Sequence, residues 1–153
     1  MSWLSTKTLL DKVTRNGDLK TRSAFYGIYP IDKLPDFIPH LPIFIIINTH
    51  THNLPGEHWK CVFIDENKRG EVFDPLAYPM SNILIRWMNR FCRRWKVNRK
   101  SYQQPMTATC GAFVLYYLLT RLNSRSLENV SSLFSHMLYK NERHIRMFYR
   151  TLK

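Results

Sequence analysis

The chain has 153 residues, of which 44% are hydrophobic and 14% aromatic, with five glycines. That is enough to bury one compact core without disulfides, and it disfavours intrinsic disorder. The charge is unusual, since 23 lysines and arginines against 11 acidic residues give a formal net charge of +12. Such a field attracts polyanions, so nucleic acid is the first expected partner and an anionic membrane surface the second.

The cysteines and the apolar runs exclude several protein classes. Cys61, Cys92 and Cys110 cannot form a disulfide framework and lack the paired spacing of a structural zinc site. No apolar run approaches the roughly 20 residues that span a bilayer, because the best one, 43–47, has the length of a strand. The N-terminal residues show no secretion signal. We therefore expect a soluble, intracellular protein.

Helices and strands are predicted to alternate along a single domain, residues 1–153. An amphipathic helix over 5–15 has Ser5 or Thr6 as its candidate N-cap, and Gly17 ends it. Strands are predicted over 25–29 and 43–48, with a proline-rich connection between them and a polar loop, 49–57, after them. A β-hairpin follows, with strands over 58–65 and 71–74.

The second half of the chain is predicted to be mainly helical. Ser81 is a candidate cap for an amphipathic helix, whose inward face would carry Leu84, Trp87, Met88 and Phe91. A strand over 95–102 and two helices, about 127–139 and 142–152, are also predicted. The segment from Cys110 to Leu119 is apolar on every side, which is typical of a buried central helix. The predicted fold class is α+β, a mixed central sheet flanked by helices, with Cys110 at the N-terminus of the central helix.

The positive charge is concentrated after Asp74. No acidic residue occurs between Asp74 and Glu128, whereas nine lysines and arginines do. A single charged helix face usually meets only solvent, but a long segment without carboxylates favours an anion-binding surface. The candidate DNA contacts are Arg86, Arg90, Arg93, Arg94, Arg99 and Lys100.

Cys110 is the candidate nucleophile. The first turn of a helix stabilises a thiolate, because its unpaired N–H groups and the helix dipole favour negative charge. A cysteine in that position alone is more often a small core residue. The loop before it adds the amides of Gln103 and Gln104, which together with the Cys110 N–H could form an oxyanion hole. Gly111, directly after the cysteine, would let a substrate come close.

A base and an orienting acid are predicted at the ends of the hairpin. His58 begins one strand and Asp74 ends the next, and antiparallel pairing brings such positions together. Asp74 would then accept from one imidazole nitrogen and leave the other to face Cys110. The alternative is two ordinary surface residues at strand ends. A zinc site from His50, His52 and His58 is disfavoured by its spacing, and we expect no metal or small-molecule cofactor.

These residues, in this order, resemble the adenovirus endopeptidase family, adenain, with its relatives in virus-like mobile elements. A more distant resemblance is to the proteases that process ubiquitin-like modifiers. The likeness covers most of the chain, although adenain is longer at its C-terminus. The motifs that carry the resemblance are His58-Trp59, Phe73-Asp74-Pro75 and Gln103 through Cys110-Gly111.

The resemblance implies a cysteine peptidase with Cys110 as nucleophile, His58 as general base and Asp74 as orienting acid. Adenain carries glutamate where Asp74 stands, and the proteases of ubiquitin-like modifiers carry aspartate. The spacing in adenain selects Gln103 as the oxyanion donor, whereas the spacing in the distant relatives selects Gln104. We favour Gln103 and keep Gln104 as the alternative.

The resemblance also implies a substrate class and activators. Family substrates are viral structural precursors with glycines around the scissile bond, and the expected groove residues are Trp59 and Gly111. Adenain is activated by DNA and by a short peptide, which forms a disulfide with a cysteine eleven residues before the glutamine. Cys92 stands eleven residues before Gln103 and would take that role, although its position also suits an ordinary half-buried residue.

The sequence as a whole therefore predicts a monomeric viral or mobile-element endopeptidase, stimulated by DNA, without a membrane partner. The expected location is the host nucleus or the virion. Two alternatives stay open: a protease that deconjugates ubiquitin-like proteins, and a nucleic-acid-binding module without catalysis.

Overall fold

The computed structural model describes residues 4–49 and 58–153 of the chain. The helices are α1 (Thr6–Asn16), α2 (Leu19–Ala24), α3 (Asn82–Phe91), α4 (Cys110–Thr120), α5 (Leu127–Ser131) and α6 (Leu138–Thr151). The strands are β1 (Phe25–Pro30), β2 (Ile43–Asn48), β3 (Trp59–Ile64), β4 (Arg69–Phe73) and β5 (Arg94–Val97).

The five strands form one mixed sheet in the order β1-β2-β3-β4-β5. The two outer pairs, β1 with β2 and β4 with β5, are parallel, whereas β3 runs antiparallel to both of its neighbours. Helices cover both faces of this sheet. The predicted α+β class, with a mixed central sheet flanked by helices and Cys110 at the start of a buried helix, is confirmed.

The apolar run in β2 reflects this double cover. Its alternate side chains enter different cores, with Phe44 and Ile46 on the side of α4 and Ile45 on the side of α3. A strand that is buried on both faces has no polar alternation, so it appears in the sequence as a continuous apolar run.

Three of the predicted helices form around caps and apolar faces that the sequence indicates. The Ser5 hydroxyl accepts from the Thr8 N–H at the start of α1, and the Ser81 hydroxyl accepts from the Leu84 N–H in α3. Helix α4 contacts β3, α1 and α6, which explains why it is apolar on every side.

Several predicted boundaries differ from the structure. The strand predicted over 95–102 ends at Val97, because the Asn98 side chain bonds to the backbone of Asp74 and a loop follows. Helix α2, capped by the Asp18 carboxylate, was not predicted. The helix predicted over 127–139 ends at Ser131 in a turn, and α6 begins at Leu138. Among residues 4–49 and 58–153, no helix is long and apolar enough to cross a bilayer.

Candidate active site

Strands β3 and β4 bring His58 and Asp74 together at one end of the sheet. Cys61 pairs with Phe73 in antiparallel register, so the residue before β3 lies near the residue after β4. Nε2 of His58 lies 2.6 Å from Oδ1 of Asp74, and both side chains are buried. The structure therefore places these two predicted site residues in direct contact.

The carboxylate of Asp74 is fully engaged. Oδ1 also accepts from the Leu76 N–H at 2.9 Å, and Oδ2 accepts from the Tyr78 N–H at 3.0 Å and lies 3.2 Å from Nζ of Lys60. Burial alone would raise the pKa of Asp74, but the hydrogen bond and charge of His58, with the Lys60 charge, leave that pKa lowered. Asp74 is thus an anion that orients the imidazole.

Lys60 and Asn98 belong to this arrangement although the sequence prediction did not include them. Lys60, the second residue of β3, stands two residues after His58 and therefore faces the same side of the sheet as His58. Asn98 holds the backbone of Asp74 from both directions, with Oδ1 accepting from its N–H at 2.8 Å and Nδ2 donating to its carbonyl at 2.7 Å. The alternation of side chains along a strand could have indicated Lys60 from the sequence, whereas no neighbouring sequence feature indicates Asn98.

Cys110 begins α4 and is fully buried. Burial raises the pKa of its thiol to about 11, although the backbone N–H groups of Trp59, Gly111 and Cys110 itself favour the thiolate and oppose that rise. The effect of the Trp59 N–H on the thiol indicates that the sulfur lies near the residue that follows His58. At neutral pH the thiol is protonated, so it needs a base to become a nucleophile.

The imidazole of His58 has one ring nitrogen available for that proton. Nε2 is occupied by Asp74, whereas Nδ1 is buried and makes no hydrogen bond within the described part of the chain. If Nε2 donates to the carboxylate, Nδ1 is the basic nitrogen. The pair can therefore act as an oriented general base.

The loop before Cys110 contains both candidate oxyanion donors. The Gln103 side chain is buried, and its Nε2 donates to the carbonyl and hydroxyl oxygens of Thr107 at 3.1 Å each. Gln104 is half-buried, and its backbone N–H donates to the Glu142 carboxylate at 2.9 Å. Gln103 thus lies in the interior of this loop, where Thr107 holds its amide.

A cavity of about 560 Å³ opens beside His58. Its lining includes Lys60 and three mostly apolar side chains, Tyr78, Ile83 and Met106. The Tyr78 ring centroid lies 5.5 Å from that of His58. Met106 is 100% exposed and has a left-handed backbone conformation with φ of 64°. The cavity is large enough for one or two substrate side chains.

Trp59 and Gly111 do not line this cavity, and their place in a substrate groove stays a prediction. The Trp59 side chain is buried, and its indole N–H donates to the carbonyl of Leu4 at 3.1 Å. A Cβ added at Gly111 would lie 2.9 Å from Cδ1 of Leu4. Leu4 thus lies next to both residues.

Cys92 lies at the C-terminal end of α3 and is also buried. Its sulfur packs so closely on the backbone of Gly70 that a Cβ there would lie 2.6 Å away. Burial raises the pKa of its thiol to about 11, and the charge of Asp65 contributes to this. A disulfide between Cys92 and a peptide, which stays a prediction, would require this site to open first.

The six candidate DNA contacts are all exposed. Arg90 is engaged with Asp36, to whose carbonyl it donates at 3.1 Å. Arg94 pairs in register with Arg69, which the prediction did not include, and like charges on neighbouring strands repel. Together with Arg125, these two arginines line a second cavity of about 410 Å³.

Metal-binding groups are not found within residues 4–49 and 58–153, where no three His, Cys, Asp or Glu side chains gather. His50 and His52, considered for a zinc site in the sequence, lie outside the described residues.

Solved structures provide counterparts for this fold, whereas the sequence matches no family model and no curated protein. The crystal structure of the ASFV pS273R protease matches with a TM-score of 0.58 and 16% identity, over 95% of this chain and 66% of that one. Its selenomethionine form matches with a TM-score of 0.50 and 22% identity, over 71% and 44%. The central domain of the uncharacterized Lpg1148 protein from Legionella pneumophila matches with a TM-score of 0.53 and 13% identity, over 98% and 95%.

These likenesses show a fold that the chain shares with a distant viral cysteine protease, and they do not single out adenain. The chain spans 44% and 66% of the two pS273R protease chains that it matches.

Proposed function

We propose that the protein is a cysteine endopeptidase with Cys110 as nucleophile, His58 as general base and Asp74 as orienting acid. The observation that carries the proposal is the buried 2.6 Å contact between His58 and Asp74, together with a buried cysteine at the start of α4 whose thiol pKa is raised by burial and by the Asp74 charge. The fold shared with a viral cysteine protease supports the same reaction class.

In the proposed mechanism, Nδ1 of His58 takes the thiol proton while Sγ of Cys110 forms a bond to the peptide carbonyl carbon. The carbonyl oxygen becomes an oxyanion, which the Cys110 N–H and the Gln103 amide stabilise. The C–N bond then breaks, and the leaving amine takes the proton from His58. Water, deprotonated by the same imidazole, then attacks the thioester carbonyl. The C–S bond breaks and Sγ of Cys110 takes the proton back from His58, while Asp74 stays ionised throughout.

The proposed substrates are structural precursors of a virus or virus-like element with glycines at the scissile bond, and the support for this class is the motif set that resembles adenain. The proposed setting is the host nucleus or the virion, with the enzyme as a monomer. An activating peptide bound at Cys92 is part of the same proposal.

The test is cleavage of glycine-rich peptides and of capsid precursors, with products identified by mass spectrometry. We expect turnover by the unaltered protein and none by Cys110→Ala. Cys92→Ala is the matched control, since it removes another buried cysteine and should retain activity without an activating peptide. Turnover that persists in Cys110→Ala, or an unaltered protein that cleaves no peptide, would refute the proposal. Preferential cleavage of ubiquitin-like precursors would identify a deconjugating protease instead.

DNA is the second proposed partner, and the support for it is the net charge of +12 with six exposed basic candidates. Each phosphate that the protein neutralises should steepen the log–log dependence of affinity on salt by roughly 0.9. Arg94→Ala should reduce that slope more than Arg90→Ala, because Arg90 is already engaged with Asp36. A slope near zero would exclude DNA. DNA binding without any peptide turnover would favour the non-catalytic module.

A further inference from the structure

Glu142, near the start of α6, is buried against the loop that precedes Cys110. It is 4% exposed, and its Oε1 lies within hydrogen-bond distance of three donors. These donors are the Gln104 N–H at 2.9 Å and the hydroxyls of Thr107 and Thr109 at 3.0 Å each. Oε2 is buried and has no hydrogen-bond partner within the described residues. Burial of a carboxylate costs free energy unless hydrogen bonds compensate for the lost water. The three hydrogen bonds to Oε1 are therefore expected to hold the loop in place.

The donors that meet Glu142 flank the proposed catalytic groups. Thr109 directly precedes Cys110; its side chain makes no capping bond within α4, and its hydroxyl donates to Glu142. The Thr107 hydroxyl accepts from Nε2 of Gln103 at 3.1 Å and can donate its proton to Glu142 or to the Gln104 carbonyl at 2.8 Å. One carboxylate oxygen is thus connected to the neighbour of the nucleophile and to the partner of the oxyanion donor.

Asn141, the preceding residue of α6, holds the beginning of the same loop. Its Nδ2 donates to the carbonyl of Tyr102 at 3.1 Å and to that of Ser135 at 2.8 Å, and its Oδ1 accepts from the Ser135 N–H at 2.8 Å. Two consecutive residues of α6 therefore fix both ends of the segment 102–109.

We infer that Glu142 is a positioning residue for the proposed peptidase, which holds the loop so that the Gln103 amide and the Cys110 N–H converge on the substrate oxygen. The inference rests on the proposed function. Glu142 touches neither substrate nor sulfur in this role and acts through Thr107 and Thr109. If the loop moves, the displaced oxyanion donor no longer stabilises the transition state, while substrate binding changes little. Replacement of Glu142 therefore lowers kcat more than it raises KM.

The decisive variants are Glu142→Ala and Glu142→Gln. The alanine variant removes the one acceptor that the three donors share, and we expect kcat to fall by roughly 10²-fold, as for loss of one oxyanion donor. Glutamine keeps an acceptor oxygen in the same place, so it should restore most of the activity. Glu128→Ala is the control, since Glu128 is an exposed acidic residue on α5 that pairs with Lys96; its kcat should be unchanged.

A double-mutant cycle with Gln103→Ala separates positioning from general damage to the fold. If Glu142 acts through the loop that holds Gln103, the combined loss in kcat is smaller than the product of the single losses. Alkylation of Cys110 by iodoacetamide needs no oxyanion hole, so Glu142→Ala should slow it far less than peptide hydrolysis. If Glu142→Ala does not fold, Thr107→Val, which removes only a hydroxyl, takes its place in the cycle.

The outcomes distinguish the inference from the proposed function. Three results would overturn the positioning role. The first is a combined loss in kcat equal to the product of the single losses, and the second is equal slowing of alkylation and hydrolysis. The third is a Glu142→Gln variant that is as impaired as Glu142→Ala. Cleavage that still depends on Cys110 would leave the proposed function intact in each of these cases. An unaltered protein without peptidase activity would refute the proposed function, and the positioning role with it.

Discussion

The two sides of the candidate site are held by different kinds of structure. His58 and Asp74 stand at adjacent strand ends, where antiparallel register and the Asn98 side chain fix them. Cys110 and Gln103 are joined by a loop, and side chains of α6, remote in sequence, hold that loop. The strand side depends on backbone pairing, whereas the loop side depends on a few polar contacts. Changes far from the chemistry should therefore impair the loop side first.

Removal of the base should cause the largest loss on the strand side. We expect His58→Ala to lower kcat by about 10⁴ to 10⁶, as for removal of a base from a catalytic triad. Without the imidazole, alkylation of Cys110 should accelerate about tenfold per pH unit towards pH 11, because burial sets the pKa of the thiol at about 11. A rate of alkylation that levels off near neutral pH in this variant would contradict that pKa.

On the loop side, Gln103→Ala should reduce kcat by roughly 10²–10³, the usual effect of removing one oxyanion donor. Gln104→Ala is the matched variant, since the Gln104 contact to Glu142 uses its backbone N–H and survives the change. Steady-state kinetics on one peptide compare the two. If Gln104→Ala is the damaging variant, the oxyanion donor is Gln104.

Lys60→Met should alter how the stability of the fold depends on pH. The pKa of Asp74 is lowered in the folded state, so Asp74 contributes stability above its unfolded pKa of roughly 3.9, and that contribution is lost as pH falls through the folded pKa. Without the Lys60 charge the folded pKa rises, and the loss of stability between neutral and acid pH becomes smaller. Urea unfolding at both pH values measures this, with the exposed Lys7→Met as control. Equal acid losses in Lys60→Met and the unaltered protein would contradict it.

The smallest effect on catalysis should come from Gly111→Ala. The new Cβ would meet the Leu4 side chain at 2.9 Å, and we expect a loss of roughly 1–3 kcal/mol in the free energy of unfolding from this overpacking. Adding Leu4→Ala should recover part of that loss. Chemical denaturation measures the free energy of unfolding of both single variants and of the double variant. If the two single losses simply add in the double variant, the added Cβ and the Leu4 side chain do not compete for space.

The sequence sufficed for features that depend on neighbours in the chain. Serine caps, the hairpin and the meeting of His58 with Asp74 all follow from local spacing and strand register. Trp59 was predicted as a groove wall because it follows the base, but the sequence did not reveal that its side chain is buried, since β3 is covered on both faces. Glu142 had no sequence signal, since its role arises only when α6 packs against the loop before Cys110.

The exposure of Met106 affects how inactivation of the protein by oxidants is interpreted. The three cysteine thiols are buried, whereas the thioether of Met106 is fully open to solvent at the edge of the cavity beside His58. Peroxide can convert this side chain to a polar sulfoxide without touching Cys110. Inactivation by peroxide is therefore no proof of an oxidised nucleophile. Recovery with a methionine sulfoxide reductase, compared with recovery by a thiol reductant, identifies which sulfur has reacted.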